Sequence, residues 1–600
     1  MLSRTLFLTL ALLGVSSSVD ARPSPLLARQ NTTAPASSNS TAPPASSNTT
    51  ASPASKPSSG GSSNSSLPGC RFATKYSQSD ILSDPTNFIQ DVMYWEGKFH
   101  SNSVGYNTAN GMSYDGTLLD ETTGENNLAG LHQFSAASKE SLQIMVYAHA
   151  LSGDPLAARF ISPDNPSSAP DTVAGIMRTK LATYQKFNAT FPGFGGFLPW
   201  YANYDNGTIQ PTWDWVNRVP ALDNGELIWA VYAAVQAMDD AKRGDWADLV
   251  QGWQGWLDYT KTTAAKTHTS SADRHDQLFY FGDGKVCAVS HLDQSVGPFD
   301  PKQNITCEGG DVSLLNDPYE GELFTWWLYF FGGLSDTDKQ ALWTRKRPQL
   351  VSVEYSGSVV DTPWNDGTAY NYAGKPVVSK TIGPITVQRG FWFSAHEQWK
   401  LLEMPYRDIN IVDRIFHNAE RVRTCNSVLM GQNGGLFASV NNITDPVTGQ
   451  IIGYISAAGI PSISNQTTQE QDIVTPYGSF PTVLYDQKVG LAWYKNMLDA
   501  KAMQNPYGSS ESTRRDGTGA SAFVSWDSKI STVNAILGGV SDFTRKKMQK
   551  DNVYNDFKTI LDKEYTAVFG NQLKGENVDL CLPNFQIPNA TVSDFTMCSA

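Results

Sequence analysis

Residues 70–600 predict an all-α fold, a toroid of helices packed in pairs, and three observations lead there. Apolar residues recur with the 3.6-residue period of a helix in about a dozen separate segments. Long loops join those segments, and no Pro/Gly/Ser-rich linker divides them, so they read as one body. With each outer helix laid on an inner one, the loops at one end are left to build a cleft.

The chain opens with Arg4 ahead of an apolar run from Leu6 to Val15 and a small-residue site at Val19-Asp20-Ala21, the marks of a secretory leader over residues 1–21. No second apolar stretch is long enough to span a bilayer, so the expectation is a soluble, extracellular product with no membrane partner. Residues 22–69 are mostly Ser, Thr, Pro, Ala, Asn and Gly, which cannot bury enough apolar surface to offset the entropy of ordering. They read as a disordered, glycosylated stalk, with Arg29 as a point of processing. Asn-X-Ser/Thr triplets begin at Asn31, Asn39, Asn48 and Asn64 in the stalk and at Asn188, Asn206, Asn304, Asn442, Asn465 and Asn589 in the body, and mark surface loops of a secreted chain.

Helical periodicity covers 81–95, 138–151, 171–187, 224–243, 246–262, 322–331, 336–343, 394–403, 406–422, 489–501, 528–537 and 541–568. Ser138 and Ser335 stand ahead of acidic first turns, as N-caps do. The six cysteines all follow the stalk, an even number that fits three disulfides in an oxidising compartment. Proximity favours Cys287 with Cys307 and Cys581 with Cys598, leaving Cys70 with Cys425, one of the several connectivities six cysteines allow. Zinc would need CxxC or clustered His/Cys spacing, which does not occur, so no metal is expected.

A net charge of -13 argues against nucleic-acid or anionic-membrane partners, which call for basic patches. An acidic chain with 16 Trp, 24 Tyr and 27 Phe suits a neutral polymer such as a polysaccharide, because sugars stack their C–H faces on rings. The loops 191–201 and 211–215 combine glycine turns with such rings. They form either the wall of a sugar cleft or a plug of the toroid.

Three groups of carboxylates compete for chemistry. Glu320 and Glu322 stand at the start of an almost wholly aromatic helix. A carboxyl against indole surface has its charged form disfavoured and keeps a proton near neutral pH, as the acid of a glycosidase must. Two apart on a helix, the two side chains diverge, so at most one aims at a given bond. Glu322, directly before Leu-Phe-Thr-Trp-Trp, is the better placed for a dry pocket, although a carboxylate complementing a helix N-terminus accounts for either residue. Asp223 and Glu226, three apart on one helical face, fit sugar binding and fit a capping box equally. Asp527 follows Trp526 at the start of a late helix, as an N-cap or as a base aimed from a helix end, with Lys529 and Arg515 available to hold a carboxylate ionised. Asp516, in a turn, and Asp472 are its rivals.

Six segments give the chain a likeness: Asp223-Asn-Gly-Glu226, the PYEGEL run around Glu320, Ser394-Ala-His-Glu-Gln-Trp-Lys400, Gly434-Gly-Leu-Phe-Ala-Ser439, Thr475-Pro-Tyr-Gly-Ser-Phe-Pro-Thr482 and Val524-Ser-Trp-Asp-Ser-Lys529. Together they resemble the fungal endo-β-1,2-glucanases of glycoside hydrolase family 162 and, more distantly, bacterial β-1,2-glucanases with a glucoamylase-like domain. The resemblance implies a single (α/α)6 barrel over residues 70–600 that cuts linear β-1,2-glucan internally with inversion, and without a metal or other cofactor. In the bacterial pattern the acid stands ten residues before the glycine closing the aromatic helix, which maps to Glu322 ahead of Gly332. The base maps to Asp527, where only the Asp and the helix after it match the bacterial Gly-Ile-Asp-Gln-Gly. The family implies water activation through a substrate hydroxyl, so the usual inverting separation of about 6.5–9.5 Å need not hold. Asp223 and Glu226 are then expected on sugar hydroxyls, with His396, Glu397, Tyr477 and Trp526 as further substrate contacts.

Two other readings fit the same cleft. An inverting barrel acting on another linkage would be separated by its products, and a non-catalytic glycan-binding wall protein would release no reducing ends. A monomer is the default expectation.

Overall fold

The computed structural model describes residues 69–265, 278–293, 305–358, 381–431, 439–444, 451–455, 458–466, 469, 472–588 and 592–598. The expected leader and stalk lie outside the described residues, as do the triplets at Asn304 and Asn589 and most of the segment 434–439. Of the other triplets, Asn206 and Asn465 are exposed and Asn188 is half-buried.

Two short helices, α1 (Gln78–Ser83) and α2 (Thr86–Gly97), stand where one was expected over 81–95. Pro85 has no N–H to donate and keeps Asp84 extended at φ −146°, so the helix breaks there. Then follow α3 (Ala137–Leu151), α4 (Pro155–Ile161), α5 (Ala169–Thr190), α6 (Ala221–Ala241), α7 (Ala247–Ala264), α8 (Glu322–Phe331) and α9 (Asp336–Lys346). The remaining helices among the described residues are α10 (Lys400–Glu403), α11 (Asn410–Leu429), α12 (Phe480–Tyr485), α13 (Gln487–Leu498), α14 (Trp526–Ile536), α15 (Ser541–Lys550) and α16 (Tyr554–Phe569). The single helix expected over 541–568 is two, because Asn552 takes a left-handed φ of 59° between α15 and α16. Helices α4 and α12 are too short to display a period, and none was read there. Ser335 does cap α9, accepting the Asp338 N–H at 3.1 Å, whereas α3 begins behind Ala136 with no side-chain cap.

Burial alternates along the chain. Every residue of α3 is buried, as is α6 from Ala221 to Met238, and nearly all of α14. Between them α5, α7, α13, α15 and α16 bury one face only. A helix apolar all round lies inside and one with a single apolar stripe lies outside, so the molecule is helix-rich with an inner and an outer set. Helix α6 touches α3, α7, α8, α10 and α15. No helix among the described residues is long and apolar enough to cross a membrane.

Short antiparallel ribbons, absent from the all-α expectation, link the helix ends. Strand Gly116–Leu119 pairs with Phe523–Ser525 on one side and Asn126–His132 on the other, with Gly116 opposite both Ser525 and His132. A second ribbon joins Phe134–Ser135, Tyr201–Asn203 and Ile209–Pro211. The first brings Asp115, His132 and the start of α14 together, and the second carries Trp200.

The disulfides are Cys70–Cys598, Cys287–Cys307 and Cys425–Cys581, so the expected pairs Cys70–Cys425 and Cys581–Cys598 are replaced. The cause is the path of the last segment, which runs back across the outer helices. Arg421 donates to the Val578 carbonyl, Trp493 to Cys581 and Asn496 to Phe585, and Asp594 then meets Arg71 beside Cys70. Cys581 is thereby delivered to α11 and Cys598 to the start of the body.

Candidate active site

The contact of α6 with α8 builds the floor. A Cβ at Gly225 would lie 2.7 Å from the Phe324 nitrogen, so only glycine there lets the first turns of the two helices meet. Asp223 and Glu226 flank that glycine. Helix α6 starts at Ala221 without a side-chain cap, so the two are not a capping box. Asp223 accepts the indole N–H of Trp200 at 2.8 Å, and Glu226 Oε2 is buried without a hydrogen-bond partner. Burial pushes Asp223 up to about 6, against the pull of Lys139 and the Trp200 bond and with the repulsion of Asp527. Glu226 is driven well above the carboxylate range by burial, then by the charges of Asp223, Glu403 and Glu320. Glu403, buried with both carboxyl oxygens unpartnered, is raised well above the range by burial.

The two glutamates at the start of α8 differ completely. Glu322, the expected acid, has no exposed surface, and its Oε2 receives Lys400 Nζ at 2.9 Å and the Tyr406 hydroxyl at 2.8 Å. The ion pair holds Oε2, and Oε1, though without a hydrogen-bond partner, is sealed from the surface by the packing around it. Glu320, at the turn before the helix, keeps 6 % of its surface, and its Oε2 has no partner. Burial raises its pKa well above normal, reinforced by Asp317 and Glu397 and opposed by Lys400. His396 Nε2 lies 3.7 Å from Glu320 Oε1, and its Nδ1 bonds the Ser394 hydroxyl. Burial and Arg423 lower His396 to about 3, so the imidazole beside Glu320 is neutral.

Asp527 sits in the first turn of α14 but does not cap it. Ser525 and Ser528 bond reciprocally as the cap, which frees the aspartate. Its Oδ2 accepts Lys139 Nζ from α3 at 2.8 Å, its Oδ1 has no partner, and 14 % of the side chain is exposed. Lys139 also lies 3.8 Å from Asp115, whose Oδ2 accepts His132 Nδ1 at 3.0 Å. Burial lifts the Asp527 carboxyl, Lys139 draws it back, and Asp115 pushes it up again. Burial opposes the charge of Lys139, yet Asp527, Asp115 and Asp223 together keep the ammonium protonated. The cation beside Asp527 is therefore Lys139, not the expected Lys529 or Arg515. Lys529 pairs with Glu96 at 2.9 Å, and Arg515 reaches the Met430 carbonyl at 3.2 Å.

Other expected contacts take structural places. Trp526 and Tyr477 are fully enclosed, Trp526 donating to the Gly105 carbonyl at 2.6 Å and Tyr477 reaching Glu511 at 3.4 Å, so neither offers a face to a sugar. Glu397 accepts the Trp392 and Phe393 amides at 2.7 and 2.9 Å and organises that loop, its pKa raised to about 7 by burial. Asp516 bonds Thr518 within its own turn, and Asp472 is clamped by Arg514 at 2.6 Å. In the aromatic loops, Phe194 and Phe197 are core, as the plug reading has it, while Trp200 stacks on Trp215 at 4.6 Å with Phe134 edge-on at 5.5 Å. Trp213 is 73 % exposed. Among the described residues, no group of three or more His, Cys, Asp or Glu is placed to hold a metal ion.

The geometry is thus a row of buried carboxyls, Glu320, Glu226, Asp223 and Asp527, beside stacked tryptophans, the arrangement of a site that protonates one oxygen and deprotonates another. A family model described as endo-β-1,2-glucanase SGL matches residues 112–365 and 374–599. This chain belongs to that family. The resemblance read from its motifs is borne out, and the protein is a glycoside hydrolase acting on β-1,2-glucan. Among solved structures, an endo-β-1,2-glucanase from Talaromyces funiculosus with sophorose is 56% identical, with a TM-score of 0.79, covering 89% of this chain and 100% of that one. A glutamate-to-glutamine mutant from Talaromyces funiculosus, with β-1,2-glucan, gives the same values. An endo-β-1,2-glucanase from Chitinophaga pinensis with sophorotriose and glucose is 10% identical, with a TM-score of 0.49, covering 79% of this chain and 97% of that one. No curated protein matches.

In this endo-β-1,2-glucanase, Lys139, Asp115, His132 and Glu403 escaped the sequence reading, whereas Trp200 was covered by it as part of the ring-rich loop 191–201.

Proposed function

We propose that the protein is a secreted, endo-acting enzyme, a single (α/α)6 toroid, that cleaves linear β-1,2-glucan to short oligosaccharides with inversion, using Glu320 as proton donor and Asp527 as base. Glu320 protonates the bridging oxygen as the anomeric C–O bond breaks. Water attacks the anomeric carbon from the opposite face and gives its proton to Asp527 through a substrate hydroxyl. A base acts best with its pKa near the working pH, and burial against Lys139 moves Asp527 that way. Asp223 and Glu226 bind sugar hydroxyls, His396 steadies Glu320, and Trp200 and Trp215 line the wall.

One observation carries the choice of acid. Of the two glutamates flanking Gly321, Glu322 is sealed in an ion pair with Lys400, whereas Glu320 has its proton held by burial, forms no lysine pair and keeps a small exposed surface. The leader at residues 1–21 and three disulfides support secretion. Incubation with linear β-1,2-glucan, following product size and anomeric form, tests the reaction. Short products born in the α form support it, and β products would overturn inversion. Turnover in Glu320→Gln near wild type would move the acid elsewhere.

A further inference from the structure

We propose that Lys139 is the positioning residue of the reaction, one ammonium shared among Asp527, Asp115 and Asp223 that keeps Asp527 ionised and aimed from the end of α14. The inference rests on Asp527 being the base. The salt bridge at 2.8 Å fixes Oδ2 and leaves Oδ1 unbonded, so the oxygen available for a proton is the one Lys139 does not hold. Lys139 is itself buried on α3, where every residue is enclosed, so the ammonium has little freedom to leave. Asp115 stands on its other side at 3.8 Å and is in turn held by His132, which is partly exposed. When Asp527 takes up a proton, its attraction for the ammonium drops and that of Asp115 does not. Asp115 then stabilises the lysine, and release of the proton restores the first pairing. The charged and titratable groups facing Lys139 are Asp115 and His132 from the ribbon, Asp223 and Glu226 from α6 and Asp527 from α14.

Removing the cation disfavours the ionised base, so Lys139→Met is expected to move the acidic limb of the kcat profile up by about one pH unit or more. Lys139→Arg is expected to restore the limb. Asp115→Asn removes the rival charge, leaving the ammonium to Asp527 alone, and is expected to move the limb down. A merely structural lysine would lower kcat or the melting temperature without moving the limb. The proposal is overturned if folded Lys139→Met keeps the wild-type limb. Where that variant does not fold, a limb unmoved or raised in Asp115→Asn overturns it. Near-normal turnover in Asp527→Asn would instead remove the base assignment, and the role of Lys139 with it.

Discussion

Buried carboxyls occupy two kinds of place in this molecule. In the interior, Glu322 with Lys400, Glu96 with Lys529 and Glu140 with Lys180 are each matched to a lysine with no exposed side-chain surface on either partner. Around the starts of α6, α8 and α14 and the end of α10, Glu320, Glu226 and Glu403 are buried without a lysine ion pair, and one ammonium serves three aspartates. Glu320 and Glu322 belong to different places although a single glycine separates them. The first kind of place holds the fold together, and the second, under the proposed function, supplies the protons and lone pairs that a substrate meets.

The sharpest way to break this contrast is to neutralise one member of each kind. Glu320→Gln is expected to lower kcat by about 10²–10⁴-fold with an unchanged melting curve, assayed by reducing-end release. Glu322→Gln leaves the Lys400 ammonium buried without its partner and is expected to lose about 3–5 kcal/mol in urea unfolding. If Glu322→Gln folds normally and is inactive while Glu320→Gln turns over, the two places have been assigned the wrong way round.

Stability against pH sharpens the comparison. Asp223, Glu226, Glu320 and Glu403 hold protons more tightly folded than unfolded. Their contribution is therefore full below the unfolded carboxyl value of about 4 and is lost as pH rises through the folded values, about 6 for Asp223. The enzyme is expected to melt higher in mild acid than above neutrality. Glu403→Gln removes one of these protons, and a gain of about 1–3 kcal/mol near pH 8, vanishing near pH 4, is the expected result. The smallest effect belongs to Trp200→Phe, which keeps the ring but loses the bond to Asp223. A rise in KM of about tenfold, with kcat less affected, is expected in steady-state assays.

What the sequence disclosed was what depends on neighbours along the chain. Helix α8 shows its limits through a dense aromatic stretch closed by glycine, and Asp223 with Glu226 show themselves by spacing on one helical face. The failures share a physical cause, which is pairing over distance. Lys139 meets Asp527 across 388 positions, through a ribbon that no periodicity announces. Choosing between Glu320 and Glu322 depended on Lys400 and Tyr406, which arrive from other helices. Trp526 and Tyr477, expected on the substrate through the family resemblance, are consumed by the core.

The bridge from Cys70 to Cys598 turns the body into a closed loop of covalent bonds. A single cut in any exposed segment between them would leave one molecule, not two fragments. Tension applied through anything tethered before Cys70 and after Cys598 would run through the sulfur link and spare the helices. Pulling on the two ends would then leave the row of buried carboxyls undisturbed.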